Sequence, residues 1–246
     1  MIKKGKEVKL EICIDSYESF INTKEAGADR VEICSALDLD GISPSVGLVS
    51  KISKEKNIEK VVMIRPRPYD FFYNDEEFEI MKEEIKIYKD FDIDGFVFGL
   101  LKKDGRIDLD RTRKLVELSR PKDVCFHRAF DYSKDGEEVI DDLIEMGIKR
   151  ILTSGKSTTA IEGIELLSRI NHKYKDRIEI MAGSGVNYSN IYEIYRKSGI
   201  ENFHMSARKK RETDMVYLKG AALYQDIGFS DRKLIEKAKE AIEKLS

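Results

Sequence analysis

The sequence predicts an α/β protein, a single (β/α)8 TIM barrel over residues 1–246, and three observations point to it. Eight short apolar, β-branched runs recur along the chain, and a segment with helical periodicity follows each of them. Strict alternation of strands and helices implies a parallel sheet with right-handed crossovers, and eight units are the number that closes a barrel. The length suits one barrel of about 250 residues, and no linker or low-complexity tract divides the chain.

The eight apolar runs are themselves the predicted strands. They are Val8–Ile14, Arg30–Cys34, Lys60–Arg65, Gly95–Phe98, Val124–His127, Arg150–Thr153, Ile178–Ala182 and Asn202–Ser206. The predicted helices lie around residues 16–26, 45–56, 75–90, 108–119, 134–146, 157–173, 187–197 and 231–245. Side chains that can cap a helix N-terminus stand at four of the predicted starts, namely Asp75, Asp108, Asn187 and Ser230. Gly27, Gly147 and Gly199 follow helical stretches, where a left-handed C-cap is favoured.

Alternation along each strand separates the residues that face the helices from those that face the barrel interior. In the first strand Leu10, Ile12 and Ile14 form the outer row, and in the second strand Val31 and Ile33 do so. The same rule turns a set of reactive side chains inward: Glu11, Cys13, Glu32, Cys34, Arg65, Cys125, His127 and His204. Because a barrel interior is normally filled with Val, Ile and Leu, so many ionisable groups need an explanation.

Two explanations are open for this interior set. It can be a buried ion-pair network, in which Arg65 neutralises Glu11 and Glu32 while the histidines donate hydrogen bonds. It can also be a catalytic or ligand-binding pocket, and this second interpretation is favoured because barrel enzymes place their chemistry at the C-terminal ends of the strands. The fold alone does not decide between the two.

Composition limits the classes of partner. A net charge of −2 predicts no general attraction to nucleic acid or to anionic membranes, and no apolar stretch reaches the roughly 18 to 20 residues that a membrane helix requires. The dense basic run at 208–211 is interpreted as a solvated loop. The segment 1–7 lacks the apolar core of a signal peptide, so a cytoplasmic location is expected, where three cysteines stay as thiols.

Several motifs in the chain resemble those of the CutC family. They are Glu11-Ile12-Cys13-Ile14-Asp15-Ser16, Asp29-Arg30-Val31-Glu32-Ile33-Cys34-Ser35, Met63-Ile64-Arg65-Pro66-Arg67, Asp75-Glu76-Glu77-Phe78, Phe126-His127-Arg128-Ala129-Phe130-Asp131, Ile151-Leu152-Thr153-Ser154-Gly155 and Phe203-His204-Met205-Ser206-Ala207. They occur in family order over roughly residues 8 to 210. Asp40, Lys156 and Ser184 stand where the family commonly has glycine, which affects loop shape and leaves the Glu/Arg/His set intact.

The resemblance implies a cytosolic barrel that assembles as a homodimer or larger oligomer and carries the label of a copper homeostasis protein. Cys13 and Cys34 match the two cysteines proposed in that family as Cu(I) ligands. Neighbouring strands lie about 4.8 Å apart and the two thiols are expected at comparable heights, so the pair can hold a soft ion in linear coordination. The competing explanation is that both are small buried hydrophobic residues, as Cys125 is expected to be.

The alternative function is an enzyme of lyase or isomerase type that acts on a small polar, sugar-like or phosphorylated substrate. Repulsion between Glu11 and Glu32 raises one pKa and creates a general acid or base. Arg65 can bind a carboxylate or phosphate, and His127 can move a proton or join the carboxylates around a divalent metal. Backbone N–H groups of two late loops can bind phosphate; the residues concerned are Ser154, Gly155, Gly183 and Gly185.

The aromatic loop after the third strand suggests a third class, a non-enzymatic interaction protein. The loop has four aromatic side chains, which are not expected to be left in water: Tyr69, Phe71, Phe72 and Tyr73. They predict an oligomer interface or a lid over the barrel mouth.

Asp131 follows the fifth strand and is interpreted as a loop or helix-capping residue. Asp15-Ser16 is interpreted in the same way, as the cap of the first helix.

Overall fold

The computed structural model describes residues 8–216 and 226–245 and has a closed parallel barrel at its centre. The barrel strands are β1 (Lys9–Ile14), β2 (Arg30–Ile33), β3 (Glu59–Met63), β4 (Gly95–Phe98), β5 (Asp123–Phe126), β6 (Arg150–Thr153), β7 (Glu179–Ala182) and β8 (Asn202–Met205). Each strand pairs with the next in chain order, and β8 returns to β1, so the prediction of a (β/α)8 barrel is confirmed.

Helices surround the barrel. They are α1 (Tyr17–Glu25), α2 (Val46–Ile52), α3 (Asp75–Lys89), α4 (Leu109–Ser119), α5 (Ala129–Tyr132), α6 (Val139–Met146), α7 (Ile164–Tyr174), α8 (Ile191–Ser198) and α9 (Arg232–Glu243). The predicted Asp108 cap of α4 is confirmed, whereas α3 and α9 are capped by Asn74 and Asp231, each one residue from the predicted position. Within the described chain, no helix is both long and apolar enough to cross a bilayer.

The apolar core has two layers, as the alternation of the strands predicts. Outward-facing residues such as Leu10 and Val31 pack against the helices in one large cluster. The inward-facing apolar residues form a separate small cluster inside the barrel: Cys13, Cys34, Val61, Met63, Val97, Cys125, Leu152 and Met181. Polar side chains fill the barrel interior above this cluster, and they form the candidate functional site described below.

The basic run at 208–211 is a strand, so its interpretation as a solvated loop is wrong. It forms β9 (Arg208–Arg211), which pairs antiparallel with β10 (Ile227–Ser230) beside the barrel. Arg208 donates to both carboxylate oxygens of Asp15 at 3.0 Å, and Ser230 N donates to Ser19 Oγ of α1. Two of the four positive charges of the run, those of Arg208 and Arg211, therefore pair with acidic residues of the first loop and helix, and these contacts hold the hairpin at the rim of the barrel.

Candidate functional site

A cavity of about 840 Å³ opens at the C-terminal ends of the barrel strands. Its floor is made by strand residues, and its walls come from the loops that follow the strands. The lining includes Cys13, Glu32, Met63, Leu152 and His204 from strands, and Arg65, Tyr69, Phe71, His127, Arg128, Tyr132, Ser184, Gly185 and Arg208 from beyond them. Volumes of roughly 300 to 1,000 Å³ are typical of small-molecule sites, so the cavity can hold an organic ligand.

Glu11 lies at the base of a chain of charged groups. Arg30, which faces inward from β2, donates from Nε to Glu11 Oε2, and both side chains are 1% exposed. The other Glu11 oxygen lies 2.7 Å from His204 Nδ1. Burial raises the pKa of the Glu11 carboxyl, but the charge of Arg30 and the contact with His204 outweigh it, so the pKa lies far below its usual range. Glu11 is therefore a fixed anion that orients the imidazole.

Glu32 lies in the opposite situation. Burial raises the pKa of its carboxyl to about 7, because the lowering by His204 does not compensate for the lost solvation and the Glu11 charge adds to the rise. Its Oε2 lies 3.9 Å from His204 Nε2 and accepts a weak bond from the Cys34 thiol at 3.4 Å. Its Oε1 is buried and has no hydrogen-bond partner among the described residues.

His204 bridges the two carboxyl groups, with Nδ1 toward Glu11 and Nε2 toward Glu32. Burial lowers the pKa of the imidazole, but Cys13, Glu11 and Glu32 together raise it well above its usual value. The predicted carboxylate pair and His204 are thus one connected group, in which a fixed anion holds a cationic ring against a carboxyl that titrates near neutrality.

His127 faces the same cavity from the end of β5 and is electrically different from His204. Its Nδ1 accepts a hydrogen bond from the Ala129 amide at 3.2 Å, and its Nε2 has no partner within the described ranges. Burial, with the charge of Arg65 nearby, lowers the pKa of the ring to about 3. His127 is therefore neutral, and its ring packs against Phe71 with centroids 4.8 Å apart.

Arg65 does not neutralise Glu11 or Glu32, and the part that the ion-pair interpretation assigned to it belongs to Arg30. Its guanidinium donates instead to four backbone carbonyls of the loops after β2 and β3: those of Leu39, Asp40, Gly41 and Tyr69. This holds Tyr69 at a φ of 78°, a conformation that side-chain-bearing residues rarely adopt. Of the loop aromatics, Phe71 and Tyr73 are buried while Tyr69 and Phe72 are exposed.

The two cysteines of the predicted copper pair occupy different places. Cys13 lines the cavity, and its sulfur, a Glu32 oxygen and a His204 nitrogen all lie within 4.8 Å of one another, which is close enough to hold a metal ion. Cys34 is outside this group. In the pairing of β1 with β2, Cys13 stands opposite Glu32, so Cys34 lies two residues further along and the expectation of comparable heights is wrong. Burial, with the Glu32 charge, raises the pKa of the Cys34 thiol well above its usual value.

The N–H groups of the loop after β6 are already occupied. Asp131 accepts from the Ser154 and Lys156 amides and from the Thr153 and Ser154 hydroxyls, while the Gly155 amide donates to Thr153 Oγ1. Asp131, interpreted from the sequence as a loop or helix-capping residue, therefore fixes the loop after β6. Its carboxylate accepts the hydrogen bonds that an external anion would otherwise accept.

The loop after β7 differs from the loop after β6 in its access to the cavity. The Gly183 amide donates to the Thr153 carbonyl, whereas Gly185 lines the cavity beside Ser184, each at a φ near 70°. Of the four residues predicted to bind phosphate, Gly185 is the one at the cavity wall. An anion-binding role for these loops stays a prediction.

Arg30 is the site residue that the sequence reasoning overlooked. The signal was present, because Arg30 has the same parity in β2 as Glu32 and Cys34 and therefore had to face inward. The partners of Asp131 could not be predicted, because its contact with the loop after β6 spans more than twenty residues of sequence.

Comparisons with known proteins agree with the fold. A CutC protein from Streptococcus agalactiae superposes with a TM-score of 0.77 and 32% identity, over 81% of this chain and 98% of that one. The phosphoribosylanthranilate isomerase of Thermotoga maritima superposes with a TM-score of 0.57 over 96% of this chain and 99% of that one. Since its identity is 14%, that likeness shows the barrel fold alone.

Sequence comparisons identify the family. A CutC protein of Treponema denticola is 41% identical over 207 residues, which cover 84% of each chain. A human protein named copper homeostasis protein cutC homolog is 41% identical over 208 residues, 85% of this chain and 76% of the relative. The profile of the CutC family matches residues 8–209. The chain therefore belongs to the CutC family.

Proposed function

We propose that the chain is an enzyme that moves protons on a small polar molecule held in the barrel-mouth cavity, with Glu32 as the acid–base group. The observation that carries the proposal is the state of this carboxyl, which is 2% exposed, lines the cavity and leaves Oε1 unpartnered among the described residues. A carboxyl with a pKa raised to about 7 is divided between its two protonation states near neutral pH, so it can both remove and return a proton.

His204 and Glu11 support Glu32 in this role. Glu11 contacts Nδ1 of the ring, so the orientation of His204 is set, and Nε2 is left on the side of Glu32. The charge of His204 lowers the pKa of Glu32 toward neutrality from the higher value that burial alone would cause. Such a set suits a lyase or an isomerase, because both reaction types transfer protons and neither consumes an oxidant.

The cavity supports an organic ligand rather than a bare ion as the substrate. Its volume of about 840 Å³ is many times that of a single ion, and its walls combine aromatic faces from Phe71 and Tyr132 with polar groups from Arg128 and Ser184. A mixture of apolar wall and a few fixed polar atoms is typical of sites for small metabolites. Sugar-like and phosphorylated compounds remain the substrate classes that this lining favours.

A thermal-shift screen of sugars, sugar phosphates, hydroxy acids and keto acids, followed by NMR detection of products, tests the proposal. The Glu32→Gln variant is expected to bind the same compound as the wild type and to lose about 100-fold or more in turnover. Glu83→Gln, on the exposed side of α3, is the matched control and should change neither quantity. Equal turnover by the wild type and Glu32→Gln, or no stabilising compound in any class, would contradict the proposal.

Cu(I) binding is a second candidate function, favoured by the group that Cys13 forms with Glu32 and His204. A thiolate and an imidazole nitrogen suit Cu(I), and a Glu–His pair like that of Glu11 and His204 is the usual support of a metal-binding ring. Cys34 fits less well, because its raised pKa makes a second thiolate costly to form. The human relative's name supports this candidate at the level of copper homeostasis.

Competition for Cu(I) against a chelator, with the protein kept reduced, tests the second candidate. Cys13→Ser is expected to weaken Cu(I) affinity by at least about tenfold. Cys34→Ser shows whether the predicted pair binds together, and Cys125→Ser, buried in the same barrel interior, is the matched control. Unchanged affinity in the Cys13→Ser, Cys34→Ser double variant would contradict copper binding at this site.

A further inference from the structure

Four residues that line the barrel-mouth cavity each have a buried polar atom without a hydrogen-bond partner within the described chain. The atoms are Glu32 Oε1, His127 Nε2, Arg65 Nε and Arg208 Nε. The first three belong to side chains that are 2%, 3% and 2% exposed. A buried polar atom left unpaired is costly in the folded state, so four of them on residues that line one cavity indicate polar atoms that a bound molecule supplies.

The hydrogen bond at Nδ1 determines what His127 can offer such a molecule. Because Nδ1 accepts from the Ala129 amide, the proton of the neutral ring lies on Nε2. His127 is therefore a donor without a positive charge, placed against the ring of Phe71 and near the charge of Arg65. A neutral imidazole donor in such surroundings matches an oxygen atom on the ligand, above all a carbonyl oxygen that gains charge during a reaction.

Glu32 faces the same space from another part of the barrel. β2 and β5, which carry the two side chains, are separated by β3 and β4 in the ring of strands, so the carboxyl and the imidazole approach a ligand from different sides. One group can accept a proton and the other can donate a hydrogen bond. Such a pair can act on adjacent atoms of one molecule.

We infer that the substrate is a hydroxy-carbonyl compound, whose carbonyl oxygen binds His127 Nε2–H and whose adjacent C–H faces Glu32. This inference rests on the proposed function and names its substrate class. In the reaction the Glu32 carboxylate removes the proton from carbon, and the C–H electron pair becomes a C=C bond. The carbonyl π pair moves to oxygen, where His127 stabilises the enolate. Return of the proton from Glu32 to the former carbonyl carbon, with the proton of the neighbouring hydroxyl passing to the enolate oxygen, completes an isomerisation without any other reactant. Return to the original carbon restores the substrate.

Two variants of His127 separate the donor from the bulk of the ring. In His127→Gln the side-chain amide nitrogen can reach the position of Nε2 and retain a donor, whereas His127→Asn retains only an acceptor for the Ala129 amide. With dihydroxyacetone as the probe, incorporation of deuterium from D2O at the carbon next to the carbonyl measures enolisation. His127→Asn is expected to lose about 100-fold to 1,000-fold of this exchange and His127→Gln much less.

NMR of protein labelled with ¹⁵N-histidine tests the contact directly, since the chain has three histidines and His172 is exposed on α7 as an internal control. The Nε2–H signal of His127 is expected to show the neutral tautomer and to shift when dihydroxyacetone or glycolohydroxamate, an enediolate mimic, is added. An imidazolium, the Nδ1–H tautomer, or an Nε2–H signal unmoved by both probes would overturn the inference.

The two experiments distinguish failure of this inference from failure of the proposed function. Exchange that depends on Glu32 but is equal in His127→Asn and the wild type keeps the function and overturns the contact with His127. A shift at His127 with no exchange in the wild type keeps the contact and contradicts proton transfer by Glu32. Absence of both results contradicts both statements.

Discussion

Glu11 and Glu32 stand on neighbouring strands and face the same interior, yet their pKa values move in opposite directions. Glu11 contacts two cationic groups, Arg30 and His204, so its negative charge is compensated in spite of complete burial. In Glu32 burial dominates, since His204 Nε2 is 3.9 Å away and Arg30 is engaged by Glu11. Two carboxyl groups with separated pKa values can hold different roles, one as a fixed anion and one as an acid–base group.

Replacing Arg30 should show how much the stability of the barrel interior depends on the compensation of the Glu11 charge. Arg30→Met leaves the Glu11 carboxylate buried beside His204 as its remaining cation, and we expect a loss of about 3–5 kcal/mol in the free energy of unfolding. Urea denaturation monitored by circular dichroism measures the loss. The double variant Arg30→Met, Glu11→Gln, which removes both charges, should recover most of it; if the double variant is as unstable as the single one, the ion pair is not the cause.

The raised pKa of Glu32 predicts a specific pH dependence of stability. Between its unfolded value of 4.5 and its folded value of about 7, the native state holds a proton that the unfolded chain has released. Glu32 therefore adds stability at low pH that is lost as the pH rises through this window, by about 3 kcal/mol. His127, with its pKa lowered to about 3, acts in the opposite sense between 3 and 6.5 and masks the effect in the wild type.

The difference between the wild type and Glu32→Gln isolates this contribution. Denaturant unfolding at a series of pH values should show the wild type losing stability relative to the variant from about pH 4.5 to pH 7. A difference that is constant across this range would mean that the Glu32 carboxyl titrates normally in the folded state.

The inward orientation of these side chains could be predicted from strand parity, whereas their partners could not. Alternation places Glu11, Glu32 and His204 inside the barrel, and it also applies to Arg30, whose role was missed. Arg65 shows the limit of the rule. Its four acceptors are backbone carbonyls of two loops, and strand periodicity carries no information about loop conformation.

The loop after β6 is held by a carboxylate from the segment after β5. Asp131 on α5 accepts hydrogen bonds from the backbone amides of Ser154 and Lys156 and pairs with Arg128. A carboxylate buried among several N–H donors is hard to replace, because an amide group would bring N–H against N–H. The loop after β6 is therefore held in one conformation by a buried carboxylate.

Asp131→Asn should loosen the loop after β6. Hydrogen bonds to a charged acceptor contribute about 1.5–3 kcal/mol each to a buried site, so we expect a loss of at least about 2 kcal/mol in unfolding free energy. Hydrogen exchange should increase at residues 153–157 and remain unchanged in β1 and β2. Asp142→Asn, exposed on α6, is the matched control, and equal stability of the two variants would contradict the role given to Asp131.

The β9–β10 hairpin shows why one element escaped prediction. Arg208–Arg211 has no alternation of apolar and polar residues, and its partner strand begins sixteen residues later at Ile227. It contacts acidic residues of the first βα unit, such as Asp15 and Glu18, which are distant in sequence. Local pattern therefore favoured a loop, because neither the partner strand nor these tertiary contacts can be recognised in the run itself.

The barrel as a whole was predictable because its signal is repeated eight times. Each apolar run and each amphipathic segment is weak alone, but closure in the order β1 to β8 requires only that they alternate. The cavity is less predictable, since its volume depends on loops such as 65–73, whose course is determined by Arg65 and by the burial of Phe71.

The same barrel mouth explains why both candidate functions draw on the same residues. Cys13, Glu32 and His204 are close enough to bind an ion, and they also form the polar floor of a cavity that fits an organic molecule. The two functions differ in what the rest of the cavity does. His127, Arg65 and Phe71 have no part in copper binding, whereas an enzyme would use them to hold and orient a substrate.

Titration of the Glu32 carboxyl by ¹³C NMR measures the protonation state on which the proposed function depends. In protein labelled at the glutamate side-chain carboxyl, with the signal assigned by its loss in Glu32→Gln, we expect a midpoint near pH 7 for Glu32. The Glu11 signal should stay that of an ionised carboxylate down to the acid limit of the fold. A Glu32 midpoint near the ordinary glutamate value of 4.5 would contradict the account, because the carboxyl would then be a permanent anion at neutral pH.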